Sequence, residues 1–210
     1  MHTRFSPDSD MSPERLVARC LKTGLNCIAV TDHNSLDGAR AVEPLAPFMV
    51  VIGEEVRSAD GEITGLFLED TVPPGLTAVE TARRIKDQGG VVSIPHPFDR
   101  FRREVISREA LDQVVPYVDI VEVFNSRNSL DADNRKAREF ADEHGLLVSA
   151  VSDAHLPFEL GRTYVEMPEF DGTPEGFLEA LSRGCIVANQ TSPLVHVATT
   201  LTKLKKRFFA

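Results

Sequence analysis

The chain has 210 residues, 42% of them hydrophobic, and a formal net charge of −9. That composition supports one sizeable folded domain, and the acidic balance argues against a protein that coats nucleic acid non-specifically. No apolar run approaches the ~20 residues of a membrane span, and Arg4, Asp8 and Asp10 interrupt the stretch where a signal peptide would be apolar. Cys20, Cys27 and Cys185 are far apart and form no C-x-x-C pair, so they read as reduced core thiols of a cytoplasmic protein. A single domain is expected over 1–200, followed by a basic, frayed tail at 201–210.

Met1-His2-Thr3 opens the chain without a complete strand before it, and residues 4–10 read as a polar loop. Ser12 and Pro13 supply an N-cap and a first helical residue; Leu16, Val17, Cys20 and Leu21 give an apolar face, and Gly24 stops the helix. Residues 27–30 read as a buried strand ending in Thr31-Asp32-His33. A helix over 37–45 follows, then a strand over 49–52 ending in Gly53-Glu54-Glu55. After the Asp60-Gly61 turn comes another strand, over 62–68. Thr77 and Glu80 form a capping box for a helix running to Gln88. The strand over 91–94 ends in Pro95-His96-Pro97 and leads into a basic loop with Arg100, Arg102 and Arg103. Ser107 opens a helix through Leu111 and Val115, and the strand over 120–124 ends at Asn125. A long helix carrying Ala137, Phe140 and Ala141 ends at Gly145. The strand over 146–148 then leads to Val151-Ser152-Asp153-Ala154-His155. Short strands over 164–166 and 186–188 flank a helix from Thr173-Pro174 to Gly184.

Regular alternation of strand and helix favours parallel strands with right-handed crossovers. The strands are near-continuous apolar runs, as expected when both faces are covered. Polar residues gather at strand C-termini, the rim on which α/β barrels build their sites. No Gly-x-Gly-x-x-Gly or P-loop follows the first strand, which disfavours a nucleotide-cofactor fold.

That rim collects His2 and Asp8, His33, Glu55, His96, and Asp153 with His155, so that four of the six histidines fall there. Asp153 and His155 stand two residues apart at a strand end and look into one cavity. Imidazole and carboxylate together suit a borderline divalent metal such as Zn, Mn or Fe. Singly, each of these is an ordinary polar group at a strand end. Jointly, with no neighbouring Lys or Arg in sequence to pair them, they would repel or desolvate one another unless cations intervened.

These segments resemble the PHP family, the polymerase and histidinol phosphatase metal-dependent phosphoesterases. The matching stretches are Met1-His2-Thr3 through Asp8, Thr31-Asp32-His33, Gly53-Glu54-Glu55, Ile94-Pro95-His96-Pro97 and Ser152-Asp153-Ala154-His155. The resemblance implies an α/β fold, a distorted (β/α)7 barrel of the PHP type, here with its first strand largely missing. It implies two or three divalent metal ions (Mn, Zn or Fe) and phosphate-ester hydrolysis. It further implies that Glu55 bridges two ions, Asp153 and His2 binding one of them and His96 the other. A third ion would lie between Asp8, His33 and His155, while Asp32 would orient His33 or a neighbour.

The sequence departs from the family pattern twice. The usual His-x-His opening is represented by His2 alone, and a start upstream of Met1 is expected because the later motifs are intact. Glu62 stands where many relatives carry a histidine; it reads either as a ligand favouring harder ions or as a solvent-facing turn residue.

No Ser, Cys or His nucleophile is needed for such chemistry. Glu55, Asp153 and His155 are the catalytic candidates, the last two as aids to proton transfer. Substrate phosphate calls for Arg; Arg4, Arg100, Arg102, Arg103, Arg127 and Arg162 lie on loops after the motif strands, with Arg162 the first choice, Arg127 and Arg100 next, and Asn125 at a strand end as a further contact. His144 and His196 are left outside the site. The leading expectation is hydrolysis of a small phosphorylated metabolite or nucleotide, with neither long nucleic acid nor membrane as partner. The alternatives are a short-oligonucleotide exonuclease, a non-catalytic binding or regulatory module, and an amidohydrolase-type metal enzyme. The last would want a metal-bridging Lys, and no strand-end Lys is present.

Overall fold

The computed structural model describes residues 1–128, 130–192 and 194–209. Six strands form one sheet in chain order: β1 (Cys27–His33), β2 (Met49–Ser58), β3 (Gly61–Leu66), β4 (Val91–Ile94), β5 (Ile120–Asn125) and β6 (Leu147–Val151). The sheet curls into a half-barrel, so the α/β fold and its PHP-type distorted barrel are as expected. One expectation is corrected. β1/β2, β4/β5 and β5/β6 are parallel, but β3 runs antiparallel to both of its neighbours. The turn at Ala59-Asp60 is too short for a crossover helix, so β2 and β3 are a hairpin, with Ser58 opposite Gly61.

Helices cover the outer face: α1 (Pro13–Thr23), α2 (Asp37–Val42), α3 (Ala78–Lys86), α4 (Arg108–Val114) and α5 (Asp131–His144). Their starts follow the sequence signals. Ser12, Thr77 and Ser107 each accept a hydrogen bond from a backbone N–H in the first turn. Val56, Ile63, Val92, Ile94 and Val121 pack against Ala82, Ile85, Leu111 and Phe140 in the larger outer core. Leu16, Val17 and Cys20 of α1 pack on Ile28, Val30, Ala39 and Val42 in a second. On the inner face Val51, Leu66, Val91 and Ile120 meet Leu181 of α6 (Pro174–Ser182), which closes the end away from the strand C-termini. A separate hairpin pairs β7 (Tyr164–Glu166) with β8 (Cys185–Val187).

β1 and β6 are the two edges of the half-barrel. The first residues bridge them at the rim: Thr31 N donates to Met1 O (3.0 Å) and His2 N donates to Ala154 O (2.9 Å). Below that bridge lies a cavity of about 860 Å³, reached at its upper end by His2, Glu55 and Asp153.

Two further expectations change. Cys185 is exposed and Cys27 half-buried, leaving only Cys20 in the core. The tail is not frayed: α7 runs from Leu194 to Phe209, through the position at which the domain was expected to end, and docks on the N-terminal loop. Ala210 lies outside the described residues. Among the described residues no helix is long and apolar enough to cross a membrane.

Alternation along β2 sends Glu55 inward and Glu54 outward. Glu54 is fully buried; burial pushes its carboxyl up to about 7, against the opposing effect of the hydrogen bond from Val72 N. A carboxyl that holds its proton more tightly when folded contributes stability below the unfolded value of 4.5, and that contribution is lost as pH rises through about 7. Glu54→Gln, measured with chelator present, should therefore be more stable than the parent at pH 8 by about 3 kcal/mol and nearly equal at pH 4.5. Thermal melts showing the same gap at both pH values would contradict this.

Candidate metal centre

The register of the strands assembles the centre. His33 pairs with Glu55 across β1 and β2, and Glu55 pairs with Thr64 of β3. Glu62 lies two residues from Thr64 and so shares its inward face. Because β3 is antiparallel, its first residues, not its last, reach the rim. His96 follows β4, Asn125 ends β5, and Asp153 and His155 follow β6. His96 (φ +32°) and Asp153 (φ +47°) both hold left-handed backbone, a strain of about 1–3 kcal/mol each that aims their side chains inward.

The opening loop is stitched over this rim. Ser6 Oγ accepts from His33 N (2.9 Å) and lies 3.1 Å from His2 Nδ1. Ser9 Oγ reaches the carbonyls of His2 (3.1 Å) and His155 (2.9 Å). Asp32 holds His2's neighbour: its carboxylate accepts from Thr3 N and Thr3 Oγ1, both at 2.6 Å. Gly38 makes room for that carboxylate, since a Cβ there would sit 1.7 Å from Asp32 Oδ2.

The side chains converge in two overlapping sets. Donor atoms of His2, Asp8, His33 and His155 lie within 4.8 Å of one another, as do those of His33, Glu55 and Glu62. Asp8 Oδ2 is 3.2 Å from His33 Nε2 and 3.3 Å from His155 Nε2. Glu55 is central: Oε2 lies 3.5 Å from His2 and 3.2 Å from His33, and Oε1 lies 3.4 Å from His96. Asp153 Oδ1 is 3.2 Å from His2 Nε2. Glu62 lies 3.5 Å from His33 and 3.6 Å from His96 and is buried, so the solvent-facing alternative is corrected.

Among the described residues, four buried donor atoms of this cluster have no hydrogen-bond partner: Asp8 Oδ1, Glu55 Oε2, His96 Nδ1 and His96 Nε2. Orphaned lone pairs in a desolvated nest are costly, and divalent cations would satisfy them. By that test the residues fit a metal centre. The protonation pattern has the same origin. Burial and the neighbouring His155 push His2 down to about 4. Burial opposes the charge on His33, yet Glu55 and Asp8 lift it to about 9. Burial likewise opposes ionisation of Glu55, but His33 and His96 bring it down to about 2. Burial and the Glu55 charge push Glu62 up to about 7.

Not every expected substrate contact reaches the cluster. Asn125 does: its Nδ2 lies 3.4 Å from Asp153 Oδ2 and 3.2 Å from Glu122 Oε2. Arg127 does not face the mouth. Its buried guanidinium contacts His155 Nδ1, donates to Thr199 Oγ1 (3.1 Å), and lies 3.5 Å from Glu159 Oε1. Arg100 is held by Asp133 at 2.8 Å. Arg162 is exposed, and its carbonyl accepts from Asn189 Nδ2 at 2.7 Å. The arginine that does enter is Arg102, donating to Asp153 Oδ2, to Asn125 Oδ1 (3.4 Å) and to Asp99 Oδ2 (3.2 Å).

Three residues escaped the sequence reading. Glu122, on the inward face of β5, accepts from His96 N at 3.1 Å, and burial pushes it up to about 7. Glu159 accepts from the backbone N–H of His155 (2.9 Å) and Leu156 (2.8 Å), fixing the turn that presents His155. Lys203, from α7, lies 3.2 Å from Asp8 Oδ2.

A half-barrel with this rim defines a class. Residues 1–106 match the profile of the PHP domain, and residues 131–186 match one described as PHP-associated. The chain belongs to the PHP domain family. Among relatives, the uncharacterized protein MJ0417 of Methanocaldococcus jannaschii is 33% identical over 181 residues, spanning 81% of this chain and 73% of that protein. Two solved structures share the fold. One is a two-domain protein from Bacteroides vulgatus containing a predicted PHP-like metal-dependent phosphoesterase (TM-score 0.70, 22% identity, 90% of this chain and 63% of that one). The other is the lesion-specific endonuclease PfuEndoQ of Pyrococcus furiosus (TM-score 0.67, 18% identity, 92% of this chain and 58% of that one).

Metal ligation needs His33 neutral and Glu62 ionised, so cations compete with protons that leave at about 9 and about 7. Mn²⁺ affinity should therefore rise with pH from 6 to 8.5, by about tenfold per pH unit for each proton displaced. Calorimetry in buffers of different ionisation enthalpy should show proton release near pH 7. A flat affinity with no proton release would contradict the assignment.

Proposed function

We propose that the chain is a metal-dependent phosphoesterase that hydrolyses a small phosphorylated metabolite or nucleotide. The observation that carries the reading is the set of buried, partnerless donor atoms on Asp8, Glu55 and His96 beside a guanidinium, Arg102. The acids and imidazoles call for cations, and the arginine calls for an anion. Family membership supports the same class of chemistry.

His2, Asp8, His33, Glu55, Glu62, His96, Asp153 and His155 would hold two or three divalent ions. Glu62 in place of an imidazole shifts the set toward harder ions, favouring Mn over Zn. Such ions, when bound, polarise a phosphoryl group and acidify water. The protein's own residues do the rest. Glu55 lies between the donor groups and fixes their spacing. Arg102 orients the phosphate, with Asn125 supplying an amide beside it. His155 and Asp153 are placed to accept or return a proton at the rim. Glu159 keeps the His155 turn in register. Of the other expected phosphate contacts, Arg127 acts from behind His155, while Arg100 and Arg162 serve the outer surface.

A short oligonucleotide is the second substrate reading, supported by the fold shared with PfuEndoQ. The net charge of −9 argues against a long nucleic-acid groove.

Hydrolysis of an aryl phosphate should require added Mn²⁺. Asp153→Ala and His96→Ala should each lower kcat/KM by more than about 100-fold, about 3 kcal/mol of transition-state stabilisation. A panel of mononucleotides against short oligonucleotides then separates the two substrates. A folded, metal-loaded chain that cleaves neither would remove the enzymatic reading in favour of a binding module.

A further inference from the structure

One face of α7 lies across the metal centre's rim. His196, Thr199, Lys203 and Lys206 are spaced three or four residues apart and therefore share that face. His196 Nε2 lies 3.0 Å from Arg127 O, and Thr199 Oγ1 accepts from Arg127 Nη2 at 3.1 Å. Arg127 in turn sits behind His155. At the other end of the face, Lys206 Nζ donates to the carbonyls of Arg4 (2.7 Å), Ser6 (2.6 Å) and Ser9 (2.6 Å). Those residues flank Asp8. The helix thus spans from the turn that presents His155 to the loop that presents Asp8.

The two lysines on this face differ in what they have left to offer. Lys206 has all three N–H donors spent on carbonyls, which makes it a staple for the loop. Lys203 has one described contact, Asp8 Oδ2 at 3.2 Å, and its side chain is 53% exposed. Asp8 Oδ2 already lies near His33 and His155. Lys203 is not needed to fasten the helix, because Lys206, Thr199 and His196 do so. It keeps unspent donors on a half-exposed side chain beside the cluster. Arg102 marks the Asp153 side of the same cluster and Lys203 the Asp8 side.

We propose that Lys203, delivered by the C-terminal helix, is a substrate-binding residue that contacts the phosphate group at the Asp8 side of the centre. This rests on the phosphoesterase reading for its substrate, but phosphate binding tests it separately. A mobile ammonium with free donors suits a point contact to a phosphate oxygen, complementing the planar fork of Arg102.

The full chain, loaded with Mn²⁺, is compared with Lys203→Met, Lys203→Arg and the control Lys205→Met, whose lysine pairs with exposed Asp10 instead. Inorganic phosphate binding is measured by calorimetry, and KM and kcat are measured on an aryl phosphate. Melting temperature and bound Mn are measured alongside. Lys203→Met should weaken phosphate binding and raise KM by about tenfold, with kcat within about threefold. Lys203→Arg should retain most of the affinity, and Lys205→Met should match the parent. Melting temperature and Mn content should be unchanged throughout. Unchanged phosphate affinity in Lys203→Met would overturn the inference, as would a loss matched by lower melting temperature or lost Mn, which would make Lys203 a structural tie. A parent that binds no phosphate would also overturn it. A parent that binds phosphate through Lys203 but hydrolyses nothing would leave the inference standing and remove the phosphoesterase reading. A parent that hydrolyses with Lys203→Met unimpaired would do the reverse.

Discussion

Glu55 is the interaction centre on which the site depends. It is a buried carboxylate within 3.5 Å of three imidazoles, with one oxygen that finds no hydrogen-bond partner among the described residues. Leaving a buried charge uncompensated costs several kcal/mol. The surrounding structure is arranged to offset that cost without filling the space. His33 is held cationic by Glu55 and Asp8, Arg102 lies against Asp153, and Lys203 lies against Asp8. Positive charge rings the acids rather than neutralising each one by a close, saturated pair. The outcome is that Asp8, Glu55 and Asp153 are kept ionised and close together while Glu62 holds its proton up to about 7, so an incoming cation has to displace the protons on Glu62 and His33 to reach the donor atoms.

Strand geometry makes this arrangement possible at a modest cost in fold stability. Alternation along β2 separates Glu54, turned into the outer layer, from Glu55, turned inward. Reversal of β3 brings Glu62 to the rim beside the C-terminal ends of parallel strands. The backbone strain at His96 and Asp153 is about 1–3 kcal/mol each, smaller than the desolvation it helps to organise. Asp32, by contrast, is fully partnered through Thr3 and faces the space left by Gly38. It positions the chain next to His2 rather than joining the donors. Adjacent acids in one strand-end motif, Asp32 and Glu54 beside His33 and Glu55, thus have opposite roles set by which side of the sheet they face.

Much of the fold was legible because its signals are local. Caps at Ser12, Thr77, Ser107 and Thr173, and the stop at Gly145, coincide with helix ends in the structure. The strand-end acids and histidines were legible because an apolar run followed by such a residue marks the barrel rim. What was missed is non-local. The direction of β3 depended on reading a two-residue turn over the general preference for crossovers. Arg102 rather than Arg100 enters the site, yet both sit in an irregular loop with no periodicity to tell inward from outward. Lys203 and Lys206 lie about 200 positions from the residues they touch, and a basic tract reads by composition as solvated. Its helical spacing, with His196, Thr199, Lys203 and Lys206 on one face, was the available signal.

The placement of α7 also changes how the site's stability should be understood. β1 and β6 are sheet edges, so the rim between them is not held by a continuous hydrogen-bond ladder. It is held by the backbone bridge through Met1 and His2, by Ser6 and Ser9, and by Lys206 of the last helix. Such side-chain and single-bond ties open more readily than a ladder does. The elements that carry His2 and Asp8 are therefore the least protected part of the centre, whereas Glu55, His96 and Asp153 rest on the sheet. The loop that carries Asp8 is tied to α7 through Lys206. A cation or phosphate that engages Asp8 and Lys203 together would tighten both ends of the chain at once, whereas one engaging Glu55 and His96 would meet a frame already rigid.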